Sequence, residues 1–244
     1  MSRKVRCAYC DSWCLPTREH AVSHWLGRAL QGDVQVGMVM AKHHFGNAPV
    51  IRDVCRSCNG GVLSRLDEAA SDWWSESSEG RRPVLTSPHS LLARWLGKIV
   101  YNVQRVERRE RGELVGPPVP DFFVAWITGR TKADAMIAVW LSLFPIGHEA
   151  AVHSGIAGTD QRLDRPVWLI GLRRFFFCVA WDHPVGNGFA RQIETEACVG
   201  LPAARLDLDR GAGALAIPLL RDPDRVYESL YGIAVRFAES AGRL

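Results

Sequence analysis

The chain has 244 residues, 47% of them apolar and 23% charged, with a formal net charge of +4. Such a composition fits one large or two small globular domains and excludes a low-complexity chain. No apolar run approaches the roughly 18 residues of a membrane span, so no membrane partner is expected, and the small positive charge admits nucleic acid without requiring it.

The opening, MSRKVRCAYC, is basic but no apolar core follows, so no signal peptide is expected and the cytoplasm is the default location. Seven cysteines without an export signal argue against a disulfide framework. Five of them fall before residue 59. Lys occurs only at positions 4, 42, 98 and 132, so Arg carries most of the positive charge. Arg suits bidentate phosphate contact, although a GC-biased genome would write the same excess.

Residues 1 to about 60 show no sustained helical or strand period and are rich in Cys, His and Gly. A segment of that kind needs a staple. A helix is expected after Asn59-Gly60-Gly61, because Val62, Leu66, Ala69, Ala70, Trp73 and Trp74 recur at helical spacing. SEGRRPVLTSP reads as a linker. A second helix is expected from Ser87 or Pro88 to Arg109, with Leu91, Leu92, Trp95, Leu96, Ile99, Val103 and Val106 as its apolar stripe. GPPVP at 116–120 is a break. FFVAWIT, VWLIGL and RFFFCVAW then read as strands, and AVWLSLF as either a strand or a helix starting at Lys132. A final helix is expected over 222–239. Cys178 and Cys198 read as buried thiols, and His148, His153 and His183 as structural.

Cys7-Ala-Tyr-Cys10 and Cys55-Arg-Ser-Cys58 form two CxxC pairs. Each pair can offer two thiolates from one tight turn, and two turns complete the tetrahedral S₄ site that Zn²⁺ prefers. An iron–sulfur cluster uses the same four ligands. A redox CxxC would sit at a strand-to-helix junction, and neither pair reads clearly as one. Cys14 could replace one ligand, and its plain reading is a free thiol. A closed S₄ zinc is structural, so any catalysis lies elsewhere.

Between the pairs lies Arg18-Glu19-His20, and Asn59 follows the second pair directly. CxxC, then an acidic-His dipeptide, then CxxCN resembles the zinc-bearing branch of the HNH endonucleases. The resemblance covers about residues 5–75, through TREHAVSHWLGRAL and VCRSCNGGVLSRLDE, and extends more weakly to HSLLARWLGKIVYNV. It implies a ββα-metal unit clamped by zinc. It implies that Glu19 and Asn59 bind a catalytic Mg²⁺ or Mn²⁺ and that His20 activates water. The residue types suit phosphodiester hydrolysis: an imidazole titrating near neutrality for the base and oxygen ligands for a hard ion. Asn59, before two glycines, also reads as a turn or N-cap residue for a helix from 62.

The sequence departs from the family at two places. The central Asn that orients the His has only Asn47 and Asp53 as nearby candidates, and Ser23 stands where a proline often follows the EH pair. His24 would share a face with His20 if 20–30 were helical. His24, Arg18, Arg52 and Arg65 are the candidate nucleic-acid contacts. His43 and His44 could meet phosphates from a loop, and Arg56 could donate to the zinc thiolates.

The expected fold class is α+β. A zinc-stapled HNH unit spans 1–79, a linker and connecting helix 80–115, and a mixed α/β domain 116–244 that could choose the target, bind a partner or oligomerise. The expected function is a DNA endonuclease. The rivals are a catalytically degenerate zinc module for DNA or protein and an RNA-cutting toxin.

Overall fold

A computed structural model describes residues 3–29, 34–36, 50–78, 84–85, 88–111, 119–132, 137–143, 154–158, 167–172, 175–181, 204–206 and 215–216. Within them the chain is α+β, as expected. The expected helix over 222–239, Cys198, His43, His44, Asn47, His148, His153 and His183 lie outside the described residues.

The N-terminal part is built from short pieces. Strands β1 (Val5–Arg6) and β2 (Trp13–Cys14) pair antiparallel and flank the turn that carries the first two cysteines. Strand β3 (Thr17–His20) leads through Ala21–Ser23 into helix α1 (His24–Ala29) and then β4 (Val34–Val36). Strand β5 (Val50–Val54) returns antiparallel to β3, with a register irregularity between Thr17 and Glu19. Helix α2 (Arg56–Cys58), one wide π-helical turn (Asn59–Leu63) and α3 (Ser64–Ser78) follow without a break. The helix therefore starts earlier than its apolar spacing suggested. Its N-cap is Cys55, whose thiol accepts the Cys58 N–H, and not Asn59.

Val84–Leu85, inside the expected linker, forms strand β6. Helix α4 (His89–Arg111) closely matches its expected span but is no mere connector. Trp95, Leu96, Ile99, Val100 and Val103 are fully buried, and so are Lys98 and Asn102. Such all-round burial marks an interior helix. Helix α5 (Asp121–Ile127) corrects the reading of FFVAWIT as a strand. Pro120 is its N-cap, Asp121 sits in its first turn where the helix dipole favours an anion, and buried Phe123, Val124, Trp126 and Ile127 have helical spacing. Helices α4 and α5 approach closely at Gly97, where a Cβ would lie 2.6 Å from the Trp126 ring.

Strands β7 (Ile137–Leu143), β8 (Ser154–Gly158), β9 (Val167–Leu172), β10 (Phe175–Trp181) and β11 (Ala204–Arg205) form a six-stranded sheet with β4, in the order β11-β7-β10-β9-β8-β4. AVWLSLF is thus a strand. Strand β12 (Leu215–Ala216) pairs with β6. Phe175, Phe177, Val179 and Trp181 of β10 face the helices, and Phe176, Cys178 and Ala180 are buried on the opposite face. That two-sided burial explains why the strand reads as a continuous apolar run. The helical layer and the sheet share one core: Trp73 lies 4.7 Å from Phe175 between ring centroids, and Phe123 lies 4.5 Å from Trp181. The parallel pairing of β4 with β8 also carries an N-terminal strand into the later sheet. Among the described residues no helix is long and apolar enough to cross a membrane.

Candidate metal centre and adjoining site

Two turns bring four thiols together. In the first, the Asp11 N–H donates to the Cys7 carbonyl at 2.8 Å, and Asp11 takes a left-handed φ of 58° that short polar side chains tolerate. Arg6 donates to Asp11 and lies over the exposed Trp13 ring, 5.1 Å from its centroid. In the second, β5 runs straight into α2. Backbone N–H groups aim at sulfur: Cys55 N lies 3.3 Å from Cys7 Sγ, and Cys58 N 3.3 Å from Cys55 Sγ. The four Sγ atoms of Cys7, Cys10, Cys55 and Cys58 all lie within 4.8 Å of one another, a group that can hold a structural metal ion. N–H donors on sulfur are what stabilises thiolate ligands.

Burial pushes the Cys10 thiol up, but hydrogen bonds from Ser12, Cys7 and Cys58 outweigh it and bring it to about 6. Burial and then Cys55 and Cys10 push Cys58 up. Cys14 is half-buried and outside the group. Cys178 is a buried thiol, as expected, and its burial raises its pKa. The second pair does occupy a strand-to-helix junction, unlike its sequence reading, yet it joins four thiols and forms no disulfide.

The cluster ties β5 and α2 to β1, and Asn59 then meets β3. Its Nδ2 donates to Thr17 Oγ1 and to the Arg18 carbonyl, each at 2.9 Å. Asn59 therefore grips the peptide just before Glu19. His20 is half-buried, and its ring lies 5.2 Å from that of His24, with which it was expected to share a surface. The reason differs from the expected one: His20 ends a strand and His24 begins a helix. Partial burial, then the charges of His24, Arg18 and Lys98, hold the His20 pKa below its ordinary value.

Glu19 has a partner that its sequence neighbourhood does not announce. Its carboxylate is buried, 4% exposed, and pairs with Lys98, whose Nζ lies 2.7 Å from Oε1. The approach makes an ion pair but not a well-angled hydrogen bond to Oε1. Burial raises the Glu19 carboxyl, and Lys98 is the first charge to draw it back down. An open oxygen ligand, which the resemblance implies, thus has one oxygen already committed. Arg18, Arg52, Arg56 and Arg65 are all exposed.

Several residues that bear on the site went unread in the sequence. Lys98 also contacts both oxygens of Asp67, at 2.8 and 2.7 Å. Asn102 Nδ2 lies 3.4 Å from the His20 carbonyl, and its Oδ1 accepts from Tyr9 Oη at 2.6 Å, linking the first cysteine turn to the backbone of His20. Asp53, weighed for that orienting role, instead pairs with Arg105. The signal was present: Lys98 and Asn102 are polar residues inside an apolar helical stretch, where burial requires partners.

In comparisons with known proteins, no family model matches the chain, and neither a curated protein nor a solved structure matches it.

Proposed function

We propose that this chain is a metal-dependent HNH-type endonuclease whose substrate is nucleic acid, with duplex DNA favoured. The observation that carries the reading is the Asn59 side chain, directly after the fourth cysteine, bonded across to β3 next to Glu19 and His20. In this reading Zn²⁺ fills the four-thiol cluster, fixing β5 and α2 and taking no part in the chemistry.

The donor set suits a second, hard ion. Both Nδ2 protons of Asn59 are spent on β3, which leaves Oδ1 as an oxygen ligand, and Glu19 adds a carboxylate oxygen. Mg²⁺ or Mn²⁺ held by these two residues would supply Lewis-acid stabilisation of charge on the phosphate. His20, whose pKa burial and neighbouring charges lower, takes a proton from the attacking water. Exposed Arg18, Arg52 and Arg65, with His24, hold the phosphate backbone without reading sequence.

One observation favours a second reading, a zinc module that binds nucleic acid or protein without cutting: one Glu19 oxygen is already paired with Lys98. Plasmid nicking in Mg²⁺, Mn²⁺ and EDTA decides between them. Ion-dependent nicking is the expected result, and salt-sensitive binding without nicking overturns it. Faster cleavage of RNA than of duplex DNA would move the assignment to an RNA-cutting enzyme.

A further inference from the structure

We propose that Lys98 is a positioning residue for Glu19, holding one carboxylate oxygen so that the other is presented to the divalent ion. The proposal rests on the nuclease reading above and adds to it a residue from outside the cysteine-bearing segment. Lys98 is fully buried in the middle of α4. Its ammonium meets three carboxylate oxygens from two different elements: Oε1 of Glu19 on β3 at 2.7 Å, and both oxygens of Asp67 on α3 at 2.8 and 2.7 Å. Asp67 is itself held. Ser23 Oγ donates to its Oδ1 at 2.5 Å, and Trp95 Nε1 donates to Ser23 Oγ at 2.9 Å.

The chain of contacts leaves α4 at Trp95, passes through Ser23 and Asp67, and returns to α4 at Lys98. Glu19 is attached to its closed end. An apolar side chain would serve stability as well or better, because desolvating two charges cancels most of their attraction. What an apolar residue could not do is fix the orientation of a carboxylate. Groups that orient a ligand carboxylate are the usual means of preorganising an ion site. With Oε1 paired to Lys98, Oε2 is the Glu19 oxygen that would remain for the ion.

Mn²⁺ binding to the zinc-loaded full chain tests this, read by electron paramagnetic resonance, with zinc content and thermal melting as controls for folding. Lys98→Met is expected to weaken Mn²⁺ binding about 10–100-fold, and Lys98→Arg to recover at least a third of that loss on a logarithmic scale. Asp67→Asn keeps the volume of the network and serves if Lys98→Met does not fold; it is expected to weaken Mn²⁺ in the same direction by a smaller factor. A merely structural Lys98 would lower the melting temperature and leave Mn²⁺ affinity alone. Unchanged or tighter Mn²⁺ binding in a folded Lys98→Met or Asp67→Asn variant overturns the proposal, as does a Lys98→Arg variant as weak as Lys98→Met. Wild type that binds no Mn²⁺ overturns the nuclease reading and this proposal together; wild type that binds it, with variants unaltered, overturns this proposal alone.

Discussion

The cysteine-bearing part of the molecule and the sheet of β7, β9 and β10 solve the same problem by opposite means. The first has strands of two to five residues, and its order comes from four gathered thiols and polar ties such as Asn59 to Arg18 and Tyr9 to Asn102. The second has strands of six and seven residues, and in β10 every side chain is buried. Metal ligation can hold a backbone in irregular conformations, which leaves polar side chains in chosen places. Apolar burial gives stability but no chemistry. The difference explains why the candidate site lies on the first part while the second supplies the surface against which α3 and α5 pack.

Loss of an ion from the four-thiol cluster, which can hold one, is the largest perturbation expected. Cys55→Ser, or stripping the ion with a strong chelator, should unfold β1, β2, β3 and β5, because ligation and folding are coupled there. Hydrogen exchange should then rise in those strands and stay slow in β9 and β10. Exchange rising equally in both parts would instead make the shared core a single cooperative unit. Trp73→Ala probes the seam from the other side. It should cost about 3–5 kcal/mol in denaturant unfolding, since Trp73 is fully buried against Phe175 and Phe177, yet leave one zinc per folded chain by elemental analysis.

Smaller effects sharpen the picture. Asn59→Ala removes two hydrogen bonds to β3 and should cost about 1–3 kcal/mol in unfolding, while raising the Mg²⁺ or Mn²⁺ needed for half-maximal cleavage. A change in stability without a change in ion requirement would leave Asn59 a strand tie and nothing more. The smallest expected effect is one of pH. Because the surroundings of His20 favour its neutral form, the acid limb of the cleavage rate should fall below pH 6.5, the ordinary histidine value. A limb above that value would contradict the environment described for His20.

Legibility followed the same division. Cysteine spacing is a covalent pattern that survives in sequence, so the four thiols were readable before any fold was known. The strands β9 and β10 were readable because two-sided burial writes an unbroken apolar run. FFVAWIT was misread because a short apolar run looks alike as a buried strand or a buried helix, and only Pro120-Asp121 told them apart. Lys98, Asp67 and Asn102 went unnoticed beside the candidate site because their contacts span 31 to 93 residues of sequence. No local period records such contacts. Asn59 was singled out, but a turn or cap reading gave no hint that its side chain would bond to Thr17 and Arg18 on β3.

We propose His20 as the base of a nuclease centre that the cysteine cluster holds in shape without taking part in the chemistry. The deciding measurement is nicking by wild type and His20→Ala, side by side, on protein of equal zinc content and equal DNA affinity. His20→Ala is expected to lose about 10²–10⁴ in rate with zinc and binding unchanged. Full activity in His20→Ala would contradict it.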